Sequence, residues 1–197
     1  MSQNNISISK EVTVYLKRKP YVQESIEQEI VNYSALARKI AKDLGDVSFE
    51  AVKSTLIRIA NKINKEKKMR EQKIVNLLRR ADFSINNKIA TVHHTLPLNI
   101  DSIAFSKTPS GYMYFIKENV ADKLSIKKID YGFAIIQIKN PKEIEITPGV
   151  AAFLLSTLSS EDINVVHLMD CREDTFLVIK ESDAPLAFKA LSEALRI

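Results

Sequence analysis

The sequence predicts an α+β chain in two parts, an all-helical N-terminal part followed by a strand-rich sandwich. Three observations carry this. Apolar residues recur at helical spacing up to about residue 80 and at strand spacing from Lys88 onward. Charge changes along with the period. Residues 1–80 hold 17 basic and 9 acidic side chains, a balance of +8, against 12 and 15, a balance of −3, in residues 81–197. A chain of 197 residues that is 45% hydrophobic has enough apolar material for one large core or two small ones.

Composition also narrows the function classes. No apolar run approaches the ~18 residues that span a bilayer. The opening MSQNNISISKEV lacks the basic-then-apolar order of a signal peptide, so a cytoplasmic, membrane-free protein is expected. Cys171 is the single cysteine, which excludes an intrachain disulfide framework and a Cys-rich zinc site. The basic half points to a polyanionic partner; the bland alternative is a solvated Lys-rich surface.

Ser9 is the candidate cap of a first helix over about 10–18, with Val12, Tyr15 and Leu16 on one face; the β-branched run Val12-Thr13-Val14 also fits a strand. Pro20 suits the first turn of the next helix, where a missing N–H costs nothing. The informative stretch is Ser34 to Ile63. Ser34 is the candidate cap of a helix whose Leu36, Ala37, Ile40, Ala41 and Leu44 form one stripe, and Gly45 ends it. Ser48 caps a second helix with Val52, Leu56, Ile59 and Ile63 inward. Helix, short turn with Gly, helix is the helix-turn-helix arrangement. The candidate DNA-binding residues are then Glu50, Lys53, Ser54, Arg58 and Asn61 on the outer face, Ser48 at its start, and Lys39 and Lys42 on the preceding helix. Cationic and amide side chains reach phosphates and base edges, and a Ser hydroxyl reaches either. A helical hairpin used only for dimerisation has the same pattern.

The run KRKPYVQESIEQEIVNYSALARKIAKDLG followed by VSFEAVKSTLIRI resembles the N-terminal domain of a family of predicted archaeal regulators of amino-acid metabolism. Asn32-Tyr33-Ser34-Ala35-Leu36-Ala37 is the most specific piece. That family pairs a helix-turn-helix domain with C-terminal ACT domains, the amino-acid-sensing modules of aspartokinases.

After Ile63, NKEKKMREQK has almost no apolar stripe, and apolar spacing returns at Ile74, Val75, Leu77 and Leu78. A recognition helix ending near Ile63, a solvated connector and a new helix from about Arg70 to Arg80 are expected, with one continuous helix as the alternative. The cluster Lys62, Lys65, Lys67, Lys68 and Arg70 reads as a solvated face or as further phosphate contacts.

Strands are expected at 89–93, 100–106 and 112–116, with a turn at Thr108-Pro109-Ser110-Gly111 and a short helix at 119–124. The last 65 residues give a strand at 133–138, a helix at 150–159, strands at 164–168 and 175–179, and a helix from Ser182 to Leu195. This β-α-β-β-α order, its fourth strand supplied from elsewhere in the chain, is that of a ferredoxin-like sandwich.

Ile146-Thr147-Pro148-Gly149-Val150-Ala151 and Ile163-Asn164-Val165-Val166 are similar to the strand-loop-helix start and second strand of ACT domains. The resemblance implies an amino-acid effector site at Pro148, Gly149, Val150, Ala151, Asn164 and Val165. Helix N-terminal amides suit a carboxylate, and Gly allows close approach. Two departures stand beside that site: Lys142 to Glu145 lengthens the loop, and Asp162 occupies the place of a usual Gly. Gly149 as a mere tight turn and Asn164 as a backbone partner are the alternatives. Residues 88–128 are a second, weaker candidate ACT-like unit.

No phosphate loop, nucleophile elbow or metal-ligand spacing occurs. His93 and His94 are strand neighbours that point to opposite faces. No enzyme activity and no cofactor are expected. The expected organisation is 1–64 helical, 65–87 connector and helix, 88–128 a weak ACT-like unit and 129–197 an ACT-like domain. The expected function is a dimeric, amino-acid-responsive transcriptional regulator bound to double-stranded DNA. The alternative is a sensor that docks a partner protein through its helices.

Overall fold

The computed structural model describes residues 2–45, 47–126 and 128–195. The chain divides into two compact units, Met1–Gln72 and Lys73–Ile197.

The first unit is helical: α1 (Ser2–Lys17), α2 (Pro20–Glu27), α3 (Tyr33–Asp43) and most of α4 (Phe49–Leu78). Val12, Leu16, Ile26, Ile40, Val52 and Leu56 form its core, each 2% exposed or less. Pro20 opens α2 as expected. Gly45, at φ +90°, supplies the left-handed residue after α3, and Ser48 caps α4 by accepting from the Ala51 amide at 3.4 Å.

Three local expectations are corrected. Ser9 lies inside α1, which begins at Ser2, and the Ser9 carbonyl accepts from the Thr13 hydroxyl at 2.8 Å. The cap of α3 is Asn32, whose Oδ1 accepts from the Ala35 amide at 3.0 Å, so Ser34 sits within the helix. And α4 does not stop near Ile63; it is one helix of 30 residues. NKEKKMREQK lacks an apolar stripe but contains no Gly or Pro, and its charges pair at helical spacing: Lys62–Glu66 at 3.7 Å and Lys67–Glu71 at 3.8 Å. Lys68 also meets Glu29 at 3.6 Å. Breaking the helix would forfeit these pairs and expose eight more end groups.

The second unit is built on a six-stranded antiparallel sheet in the order β2-β3-β1-β4-β6-β5. Its strands are β1 (Asp82–His94), β2 (Ala104–Thr108), β3 (Gly111–Lys117), β4 (Ile129–Lys139), β5 (His167–Cys171) and β6 (Asp174–Lys180). Helices α5 (Glu118–Ala121), α6 (Val150–Ser159) and α7 (Ala184–Leu195) complete it. The strand expected at 164–168 thus begins later, at His167, and the final helix begins at Ala184 after a 3-10 turn, Glu181–Asp183. Likewise β2 starts four residues after Ile100, and β1 starts well before Ile89.

The order is symmetric about the central β1–β4 pair, each of these strands flanked by a hairpin. Ile116-Lys117-Glu118 at the end of β3 stands where Ile179-Lys180-Glu181 stands at the end of β6. β1 and β4 are long enough to serve both hairpins. Register shifts between Asn86 and Thr91, with Lys88 at φ +57°, bend β1 there.

The bend folds the sheet over on itself. Four strand spacings separate β3 from β5, about 19 Å in a flat sheet, yet the rings of Phe115 and His167 meet edge-on at 5.2 Å. Ile89, Phe115, Ile135 and Val178 fill the inside of the fold. Alternate residues face outward. Ala134, Ile136, Ile138, Leu177 and Ile179 pack under α6 and α7, while Ala90, Val92, Tyr114 and Ile116 pack under α5 and the loop 95–103.

Candidate functional site

The predicted DNA-binding side chains fall on the surface of the helical unit. Glu50, Ser54, Arg58 and Asn61 are exposed along one face of α4, with Ile57 38% exposed among them. Lys53 is half-buried, its Nζ 5.7 Å from the Phe49 ring centroid. Ser48 caps the helix, so its hydroxyl is already engaged. Ser54 donates to the Ala51 carbonyl at 3.1 Å. Lys39 and Lys42 are exposed on α3, and Lys39 is 3.9 Å from Asp43.

Arg58 is the main surprise. Its Nη2 donates to the Ser9 hydroxyl at 2.8 Å, so the guanidinium is shared with α1. A cleft of about 300 Å³ lies there, lined by Ser9, Thr13, Lys17, Arg58 and Lys62 among others. On the other side of α1, Tyr15 donates to Asp43 at 2.7 Å and accepts from Lys19 at 2.8 Å. The Tyr15 hydrogen bond holds the Asp43 carboxyl below its ordinary range, and burial pushes the Tyr15 phenol up. Both contacts bridge residues distant in sequence, and no local pattern announces them.

The effector residues implied by resemblance sit around α6. Gly149 caps the helix at φ +97°, a left-handed conformation that favours Gly. Pro148 is exposed, Val150 buried and Ala151 half-buried. The lengthened loop is ordered as a 3-10 turn, Lys142–Ile146, with Ile144 buried. Arg80 grips Glu143 through both Nη groups at 3.2 Å, and Thr147 donates to the Glu143 carbonyl at 2.7 Å. A backbone hydrogen bond and then Arg80 hold the Glu143 carboxyl below its ordinary range.

Asp162 also has a physical account. It adopts φ +56°, the left-handed conformation its usual Gly would take. The Asp162 amide donates to Ser159 and the Ile163 amide to Leu158, both at 3.1 Å, closing α6 in a Schellman motif. Asp is among the few side chains that tolerate this conformation.

Asn164 is exposed and Val165 half-buried beyond that motif. They follow the C-terminus of α6, whereas Pro148 to Ala151 surround its N-terminus. Ten residues of helix separate the two groups by about 15 Å. One α6 therefore does not bring the implied site together.

Comparison with known proteins agrees with this topology. Residues 128–193 match the model of the ACT domain, about a third of the chain. That segment is similar to the ACT domain. Among solved structures, a protein of unknown function from Vibrio cholerae, VC0802, described as a possible transport protein, is 15% identical. Its TM-score is 0.51, covering 64% of this chain and 98% of that one. The aspartokinase α and β subunits are 14% identical at a TM-score of 0.50, covering 62% and 98%. The ligand-free regulatory subunit of aspartate kinase from Thermus thermophilus is 13% identical at a TM-score of 0.44, covering 57% and 95%. At their identities the first two show shared fold alone. No curated protein matches the sequence. Among the described residues no helix is long and apolar enough to cross a membrane, and no group of three His, Cys, Asp or Glu is placed to hold a metal ion.

Proposed function

We propose that this chain is an amino-acid-responsive transcriptional regulator. Its helical unit binds double-stranded DNA, and its sheet unit carries effector response and dimerisation. The observation that carries the reading is the covalent union of an ACT-like segment at 128–193 with a helical unit built around a capped helix, a Gly turn and a second helix. The basic balance of the N-terminal part supports a polyanionic partner.

The mirrored hairpins and the repeated Ile-Lys-Glu support reading the first half of the sheet as a second ACT-like unit. A site using both ends of α6 needs two such helices or two copies, so an effector bound there would link units and bias their arrangement. No enzyme activity and no cofactor enter this reading.

Duplex binding titrated against salt tests the DNA half. Affinity should fall steeply as salt rises, because phosphate contacts release counterions. Lys53→Ala/Asn61→Ala should weaken binding at least tenfold; equal binding would remove α4 from the interface. The second reading is a sensor that docks a partner protein through α4. Exposed Ile57 and the engagement of Arg58 by Ser9 favour it. Salt-insensitive partner capture with no duplex binding would establish it. A thermal-shift screen against the twenty amino acids tests the effector half, since ligand bound to the native state raises the midpoint.

A further inference from the structure

An apolar cavity of the sheet unit draws on residues outside the ACT segment. That cavity, about 290 Å³, lies between α7 and the first residues of β1. Its floor is Ile136, Leu191 and Leu195, each 3% exposed or less. Phe83 and Ile85, from the stretch of β1 that pairs with β4 over 135–139, form a wall. The polarity changes sharply at the rim, where Arg79 and Asp82 stand on either side of Ala81. Arg79 is fixed there: its Nε donates to the Leu195 carbonyl at 2.7 Å. Phe188, on α7, is 57% exposed beside the opening, a large apolar ring left in water.

A closed apolar floor with a cation and an anion at the mouth selects a molecule with an apolar tail and both charges at one end. The volume sits at the low end of small-molecule sites and suits one large aliphatic or aromatic side chain. We infer that this cavity binds an apolar α-amino acid, its side chain on Ile136 and Leu191, its carboxylate toward Arg79 and its ammonium toward Asp82. This deepens the amino-acid-sensing reading and rests on it, but places the ligand away from the loop before α6. The site is completed by residues that precede the ACT segment, so an isolated 128–193 fragment would lack it.

Isothermal titration of the full chain with L-leucine, 4-methylpentanoate and glycine tests the assignment. Leucine should bind and glycine should not. Ile85→Trp, which fills the cavity, should weaken leucine at least tenfold. Asp82→Lys, an exposed change that leaves the core intact, should weaken leucine at least tenfold and leave 4-methylpentanoate, which has no ammonium, bound at least as tightly as before. If Ile85→Trp fails to fold, the Asp82→Lys comparison decides alone. Leucine binding that survives Asp82→Lys or a folded Ile85→Trp overturns the cavity assignment while leaving amino-acid sensing in place. Failure of leucine, isoleucine, methionine and phenylalanine to bind overturns it too, and failure of all twenty removes the sensing reading with it.

Discussion

The two halves of the sheet unit present the same strand order with different covers. Around β4, β5 and β6 the outer face lies under α6 and α7, and Leu154, Leu158, Leu177 and Ile179 are all 1% exposed or less. Around β1, β2 and β3 the loop 95–103 replaces the first of those helices, and α5 is only 4 residues long. That half still buries Val92 and Ile116, but its loop is held by scattered contacts, the Leu98 amide donating to the Tyr114 hydroxyl at 2.8 Å, the Leu96 amide to His94 Nδ1 at 3.2 Å and the Ile103 amide to the Phe115 carbonyl at 2.8 Å. Phe105 stays 60% exposed beside Tyr114, their rings 5.7 Å apart. A helix satisfies its own backbone and can cover a sheet with apolar side chains alone. A loop needs side-chain partners for its amides, so the same topology is stabilised differently on its two sides.

The sharpest way to break this comparison is at the helices. Leu158→Ala removes a fully buried side chain from the α6 layer and should cost about 3 kcal/mol, against about 1 kcal/mol for Leu98→Ala in the half-buried loop. Denaturant titration of both variants measures the difference; equal losses would mean the two covers are equivalent. Tyr114→Phe comes next. It removes the acceptor of the Leu98 amide and should cost about 1 kcal/mol, with faster hydrogen exchange at Leu98 and unchanged exchange in α6.

Asp162→Gly should act in the other direction. Relieving the left-handed strain at the end of α6 should stabilise the chain by about 0.5–1 kcal/mol, read as a raised denaturation midpoint. Asp162→Val should instead destabilise it. The smallest effect concerns the interior that both halves share. Burial against Phe115 holds the His167 imidazole below its ordinary range. The unfolded chain then binds more protons than the folded one as pH falls through about 6.5. Stability is therefore complete above that pH and declines below it. His167→Phe should flatten the slope between pH 7 and 5; an unchanged slope would assign the acid sensitivity to other groups.

Much of the site was readable as local chemistry. Gly45, Ser48, Pro20 and Gly149 punctuate the chain where their backbone preferences say they should. The span of α6, Val150 to Ser159, follows from its apolar spacing and from Gly149 before it. Asp162 looked like a departure from its expected Gly, and its conformation turns out to be a glycine-like one. What misled was apolar periodicity where helices run through solvent. The middle of α4 is held by Lys–Glu pairs rather than by a buried stripe, so a period search finds a gap.

The sequence alone determined the order of helices and strands, the change from basic helical to acidic strand-rich halves, and the ACT resemblance of the C-terminal part. These rest on interactions within a few residues, where spacing and backbone preference are enough. Tertiary structure decided the rest. It set Arg58 against Ser9, separated Pro148–Ala151 from Asn164–Val165 by the length of a helix, and folded one sheet until Phe115 met His167. It also brought Arg79 and Asp82 to the mouth of a cavity floored by α7. Each of these depends on packing between segments far apart in the chain, and their side chains acquire a common environment only once the core has closed.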